Sequence, residues 1–392
     1  MNWTRSEKLL IFIVFIVLFA AVNIAAHLFI KKILDVSIYE SNYDITQKHF
    51  TKRLSGKRVH PFYGLSDGMV PGFDSDVSAE NNFRRVSPIR SEDPIKILVV
   101  GGSVASHLSE AREDISEDYL FADKLNSRFN TNQFVVYNAA FGGGKQPQQY
   151  FKILYLDLLG FKPDLIINYD GFNEVALSIG QNLENNLNAI YPRNYFETLE
   201  SSVYDGRCFS VNNALLSFNT YFPIIELVKW IYVSHCHNEA ISSGVSIKLS
   251  NKALTAIEQE NFISRVELIW KDSSNNSFRF AKTKDIPYIH ALQPNRHLTG
   301  SKPLSTEELY SGNANKKPLA PSLLIATEKY YGNLDMDWLI TPYKIDQRYL
   351  FEEEDRPVYA DQCCHFNKLG MNIIIDDIIS KAEPIFKKLL SE

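Results

Sequence analysis

Cysteine is scarce in this 392-residue chain: there are four, too few for a disulfide scaffold. No C-x-x-C or H-E-x-x-H spacing occurs, so no metal site is expected. No G-x-G-x-x-G or G-x-x-x-x-G-K-S/T pattern is present either, which leaves a nucleotide-binding loop without a candidate. Positive charge is not in excess, with 41 Lys and Arg against 46 Asp and Glu and a formal net charge of −5. A nucleic-acid partner is therefore not expected, because displacing counterions from phosphates needs a concentrated basic surface. Internal repeats and low-complexity tracts are also missing. Of the cysteines, Cys208 and Cys236 are spaced so that they could bridge in an oxidising compartment. Cys363 and Cys364 are adjacent, and because a bond between neighbours is strained they are expected to be small packed residues.

One long apolar run opens the chain. Leu9 to Ile30 carries no Asp, Glu, Lys or Arg, and its length suits a helix that spans hydrocarbon. A cleaved signal peptide would have a shorter apolar region and a small-residue cleavage site, so an uncleaved single-pass anchor is expected. Basic residues lie on both sides: Arg5 and Lys8 before it, Lys31 and Lys32 after it, and a further stretch from Lys48 to Arg58. The charge bias is nearly balanced. A short tail (1–8) left in the cytoplasm would place the body on the extracytoplasmic side. The expected organisation is tail 1–8, anchor 9–30, a turn-rich stem 31–93, and one domain over 94–392 interrupted by an insertion at about 176–262.

Within that domain strand and helix patterns alternate. Ile95–Val100, Phe134–Tyr137, Leu165–Asn168 and Ile286–His290 are short runs rich in apolar and β-branched residues, as buried parallel strands should be. Between them Asp118–Phe129 and Gln148–Leu159 have helical spacing, and a final helix is expected over Asn367–Leu390. This rhythm predicts an α/β fold with a three-layer α/β/α, doubly wound parallel sheet. The insertion holds polar loops and an apolar helix around Ile224–Tyr232.

Open parallel sheets bind ligands beyond the carboxyl ends of their strands, so the loops that follow each strand matter most. After the first strand comes Gly101-Gly102-Ser103, where two glycines let the chain turn sharply and present a hydroxyl. After the second comes Asn138-Ala139-Ala140-Phe141 and then Gly142-Gly143-Gly144, whose N–H groups no side chain shields. After the third comes Asp170-Gly171-Phe172-Asn173-Glu174, which offers a neutral amide donor. Near the C-terminus Asp361-Gln362-Cys363-Cys364-His365 sets a carboxylate four residues before an imidazole. His290 and His297 flank the end of the fourth strand and are candidate pocket residues; His107 is expected on a helix surface.

In this order, VVGGSVA, NAAFGGG, DGFNE and DQCCHFNKLG resemble the four blocks of the GDSL/SGNH hydrolase family. The resemblance runs from about residue 60 to the end and includes HALQPN, but not the insertion. It implies a flavodoxin-like sheet with Ser103 as nucleophile, His365 as general base and Asp361 orienting the imidazole. It further implies an oxyanion hole built from the N–H of Ser103, the N–H of Gly143 (Gly142 being the alternative in the glycine run) and the amide of Asn173. Two departures stand out: GGS replaces GDS, and three residues rather than two separate Asp361 from His365, with Asp355 as the fallback carboxylate. The implied chemistry is acyl transfer through an acyl-serine, resolved by water in an esterase or by a hydroxyl in an acyltransferase, with no metal or cofactor. The expected substrate is an acylated carbohydrate or lipid of the cell envelope. A catalytically silent binding protein on the same fold is the reading of a different class.

Overall fold

The computed structural model describes residues 4–33, 58–60, 63–66, 83, 85–109, 119–183, 187–193, 195, 255–310 and 321–392. These fall in two units: residues 4–33, and the remainder. The first is a single helix, α1 (Arg5–Ile33). At ~1.5 Å rise per residue it is ~40 Å long, more than a bilayer's hydrocarbon core requires. Among the described residues it is the one helix long and apolar enough to cross a membrane.

The second unit begins with a small antiparallel hairpin of β1 (Arg58–His60) and β2 (Gly64–Ser66). Its centre is a sheet made of β3 (Arg85–Val86), β4 (Ile95–Gly101), β5 (Phe134–Asn138), β6 (Leu165–Asp170), β7 (Tyr288–Leu292) and β8 (Tyr343–Asp346). The spatial order is β3-β5-β4-β6-β7-β8. β3 pairs antiparallel with β5, and all other pairs are parallel. The five parallel strands thus run 2-1-3-4-5, the flavodoxin-like doubly wound order, with a switch point between β4 and β6.

Both faces of the sheet are covered, so its central strands are apolar on both sides. On one face Ile97, Val99, Val136 and Ile167 pack against α3 (Leu120–Phe129), α9 (Lys368–Lys381) and α10 (Glu383–Ser391) through Phe121, Leu125, Ile374, Ile378 and Phe386. On the other, Leu98, Val100 and Ile166 meet α4 (Gln148–Leu158) and α6 (Ala256–Thr283) through Ile153, Leu156 and Ala281. Alternate residues of one strand serve opposite layers, as a period of two demands. Local signals set the helix starts. The Thr255 hydroxyl accepts the N–H of Glu258 while the Glu258 carboxylate takes that of Thr255, and Asn367 caps α9 by accepting the N–H of Gly370.

The structure departs from the sequence pattern in four places. The final helix breaks at Ala382, ahead of Pro384, which takes an early position in α10 and cannot continue α9. β3 lies in what reads as stem, and two residues are too few for a periodic signal. β8 is a sheet edge with only Ile345 buried, so no apolar run announces it. The fourth strand starts two residues later than its apolar run, just after Pro287, which has no N–H to give to a neighbouring strand. Of the expected insertion, α6 takes the last part. Cys208, Cys236 and Ile224–Tyr232 lie outside the described residues, as does most of Lys48–Arg58.

The helical layer under β5 turns on one ring. Phe386 is fully buried, with ring centroids 6.5, 6.0 and 5.7 Å from those of Phe121, Phe129 and Phe134. Phe386→Ala is expected to cost about 3–5 kcal/mol, read as a lower midpoint in denaturant unfolding of the detergent-solubilised chain. A loss below about 1 kcal/mol would mean that the α10 layer collapses to fill the gap.

Candidate active site

Four loops beyond the carboxyl ends of the strands build the site. The first leaves β4 through Gly101 and Gly102 into the short helix α2 (Ser103–Ser106). Gly101 has φ 152°, and a β-carbon there would lie 2.1 Å from the Tyr169 carbonyl oxygen. At Gly102 a β-carbon would lie 2.2 Å from the Asn173 amide nitrogen. At the glycine where GGS replaces GDS, a side chain would therefore collide with the Asn173 amide. α2 is held by Asn138, whose amide donates to the carbonyls of Ala105 (3.0 Å) and Ser106 (3.2 Å) and to Ser109 Oγ (2.8 Å).

The second loop turns after β5. Gly144 N–H donates to the Phe141 carbonyl at 2.9 Å, and Gly143 has φ 77°. Glycine suits position 143 because the third position of such a turn needs positive φ. The third loop follows β6 and starts α5 (Phe172–Leu177), with Asn173 in its first turn. Asn173 Nδ2 donates to the Gly144 carbonyl at 2.9 Å, tying the second loop to the third. Glu174 reinforces the tie: its carboxylate accepts the N–H of Gly171 at 2.9 Å and that of Gln146 at 3.1 Å. Burial pushes its carboxyl up to about 8, with Asp170 adding to the shift and the N–H donors opposing it. Lys145, also fully buried, donates to the Ala189 carbonyl, and burial lowers its ammonium to about 8.

The fourth loop brings His365 over the serine. Ser103 Oγ and His365 Nε2 are 2.8 Å apart, and His365 Nδ1 lies 2.7 Å from Asp361 Oδ2. With the ring proton on Nδ1, donated to Asp361, Nε2 is left to accept from the serine hydroxyl. Asp361 is 5% exposed. Its other oxygen, Oδ1, accepts the N–H groups of Cys363 (2.9 Å), Cys364 (3.1 Å) and His365 (3.2 Å). The extra residue between Asp361 and His365 is thus taken up in a turn that wraps the carboxylate. Asp355 is not needed.

The segment after β7 clamps this loop. Arg296 donates to the Asp361 carbonyl at 2.6 Å and to the Glu308 carbonyl at 3.1 Å, with its guanidinium 5.5 Å from the Tyr359 ring centre. His297 Nε2 is 2.9 Å from the Cys363 carbonyl oxygen; burial and the neighbouring Arg296 charge both lower its pKa, favouring the neutral ring. Glu308, in α7 (Thr306–Tyr310), pairs with Lys302 at 3.1 Å, both side chains fully buried. The same carboxylate accepts the N–H groups of Val358 (2.9 Å) and Tyr359 (3.1 Å), on the segment that leads into the loop.

Sequence reasoning left Arg296, Lys302 and Glu308 unassigned. The signal available was the position of HALQPNR just past a strand end. His290 does not line a pocket: it is fully buried, and its Nε2 lies 2.9 Å from Asp170 Oδ1. His107 is nearer the site than a surface helix residue would be, with its ring centroid 5.4 Å from that of His365. Among the described residues no group of three or more His, Cys, Asp or Glu could hold a metal ion.

No family model matches the chain, and no curated protein does. Solved structures similar to it include an acetyl xylan esterase at 14% identity, covering 73% of this chain and 98% of that one with a TM-score of 0.35. A lipase/acylhydrolase from Enterococcus faecalis follows at 11% identity, 74% and 96% coverage and a TM-score of 0.32. A GDSL-like lipase from Parabacteroides merdae has 12% identity, 75% and 98% coverage and a TM-score of 0.32. Likeness at these scores carries no weight for the chemistry, which rests on the geometry above.

Glu308→Ala would leave Lys302 as a buried cation without its counter-charge and remove the acceptor of three N–H groups, those of Ser305, Val358 and Tyr359. The expected destabilisation is about 3–5 kcal/mol, measured by denaturant unfolding. Glu308→Ala at wild-type stability would mean that water or rearrangement satisfies Lys302 without cost.

Proposed function

We propose that the chain is a membrane-anchored serine ester hydrolase of the GDSL/SGNH type. One observation carries this reading: the unbroken relay Ser103 Oγ to His365 Nε2 (2.8 Å) and His365 Nδ1 to Asp361 Oδ2 (2.7 Å), beside a glycine turn and an amide side chain. Such a relay polarises a hydroxyl toward a carbonyl carbon.

In this reading Ser103 attacks an ester carbonyl while His365 takes its proton. Asp361 holds the imidazole in the tautomer that can accept and stabilises the imidazolium that forms. The negative oxygen of the tetrahedral adduct meets the N–H of Ser103, at the start of α2, the N–H of Gly143 and the amide of Asn173. Asn173 has two amide hydrogens; Gly144 occupies one, and the other serves the oxyanion. His365 then protonates the leaving alcohol, and water activated by the same ring releases the acid. We propose α1 as an uncleaved anchor that places the body on the extracytoplasmic side, where acyl, chiefly acetyl, esters of envelope carbohydrates or lipids are the substrates.

The test is labelling of the chain in detergent by a fluorophosphonate. A phosphonyl adduct confined to Ser103, absent in Ser103→Ala and at least about 100-fold slower in His365→Ala, is expected. Asn173→Ala should lower kcat on a short-chain ester by about 10²–10³ while leaving KM nearly unchanged, as loss of one oxyanion donor does. A well-folded wild-type chain that never labels would support a catalytically silent fold instead.

A further inference from the structure

Between Asp361 and His365 lies a pair of thiols that the relay does not use. Neither Cys363 nor Cys364 is in a disulfide, and their sulfurs are in contact at 2.7 Å. Cys363 is half-buried, whereas Cys364 is buried and packs in an apolar cluster with Phe172, Leu298 and Tyr331. Their backbone serves the site: both N–H groups donate to Asp361 Oδ1, and the Cys363 carbonyl faces His297 Nε2. The ends of the loop are pinned by the hydrogen bond from Ala360 N–H to the His365 carbonyl and by the bridge between Tyr359 and Phe366.

We propose that Cys363 and Cys364 form a modification site, a vicinal dithiol that closes to a disulfide on exchange with a small-molecule disulfide and thereby disconnects Asp361 from His365. Consecutive α-carbons are ~3.8 Å apart across a trans peptide, whereas bridged cysteines usually need about 4.4–6.8 Å. The peptide bond fixes that spacing whatever the neighbouring torsions, so the eight-membered ring closes only by twisting the Cys363–Cys364 peptide out of its relaxed trans geometry. That peptide carries the Cys364 N–H, one of the three donors wrapped around Asp361. Because both loop ends are pinned, the twist falls on the turn that holds the carboxylate against the imidazole. Strained disulfides of this kind have more oxidising potentials and reduce readily, so the change is reversible.

The exchange balances in two steps. The thiolate of Cys363, the more exposed of the pair, attacks one sulfur of the small disulfide and expels the other as a thiolate. The thiolate of Cys364 then attacks the Cys363 sulfur and expels the second small thiolate. Two protons leave the cysteine thiols and two small thiols are formed, so the chain is oxidised by two electrons and the small disulfide reduced by two. The consequence for activity rests on the acyl-transfer reading above; the closure and the loosening of the loop do not.

The test uses the full chain in detergent, equilibrated in glutathione buffers of increasing disulfide content. Three quantities are followed: the mass of the tryptic peptide from Tyr349 to Lys368, hydrogen exchange at the amides of Cys363, Cys364 and His365, and fluorophosphonate labelling of Ser103. The peptide is expected to lose two hydrogens, the three amides to exchange at least about tenfold faster, and labelling to slow at least about tenfold, with a shared midpoint and recovery in dithiothreitol. Cys363→Ser should keep its amide protection and labelling rate across the series. A pair that stays reduced in pure glutathione disulfide, or a disulfide that leaves the amides protected, would overturn the proposal. If Ser103 fails to label even in the reduced chain, the acyl-transfer reading fails, while mass and exchange still decide whether the site closes.

Discussion

Asp361 holds the site together by using its two oxygens differently. Oδ2 faces the imidazole, and Oδ1 takes three consecutive backbone N–H groups that have no strand partner. A buried N–H left without an acceptor costs about 1–3 kcal/mol, so a loop with this many inward N–H groups needs a concentrated acceptor. A carboxylate supplies it, since its two oxygens offer about four lone-pair sites. The same device recurs around the site. Glu174 takes N–H groups from the loops after β5 and β6, and Glu308 takes two from the segment that enters the histidine loop. The loops are thus fixed to one another by buried carboxyl groups, and they hold His365 2.8 Å from Ser103.

Much of this was legible in the sequence because strand ends are. Four buried parallel strands announce themselves as short apolar runs, and each run points to the loop where chemistry sits. Ser103, Gly143 and Asn173 fall in three of those loops, Asp361 and His365 in the segment between β8 and α9, and the structure brings these segments together at one end of the sheet. Edge elements were not legible. β3 has two residues and β8 one buried side chain, so neither produces a pattern. The clamp was not legible for a different reason. Lys302 and Glu308 look in sequence like ordinary solvated charges, and only the packing of a segment 50 residues away in sequence from Val358 makes them a buried pair.

The two departures from the four-block pattern have physical accounts. Glycine at 102 leaves room where the Asn173 amide nearly touches the serine loop, so a side chain there would displace the amide. The extra residue before His365 adds one more N–H to the turn around Asp361 rather than pushing the carboxylate away. In both places a change in the motif is met by a change in packing that keeps the relay intact.

The account stands or falls on a covalent intermediate at Ser103. The most direct measurement is rapid quenching of the chain mixed with an activated acetate ester, followed by mass analysis of the peptide that contains Ser103. The account predicts one acetyl group on Ser103, formed in a burst and lost with first-order decay at the steady-state turnover rate. Turnover of the ester with no acyl group on Ser103 at any time, and full activity in Ser103→Ala, would contradict it.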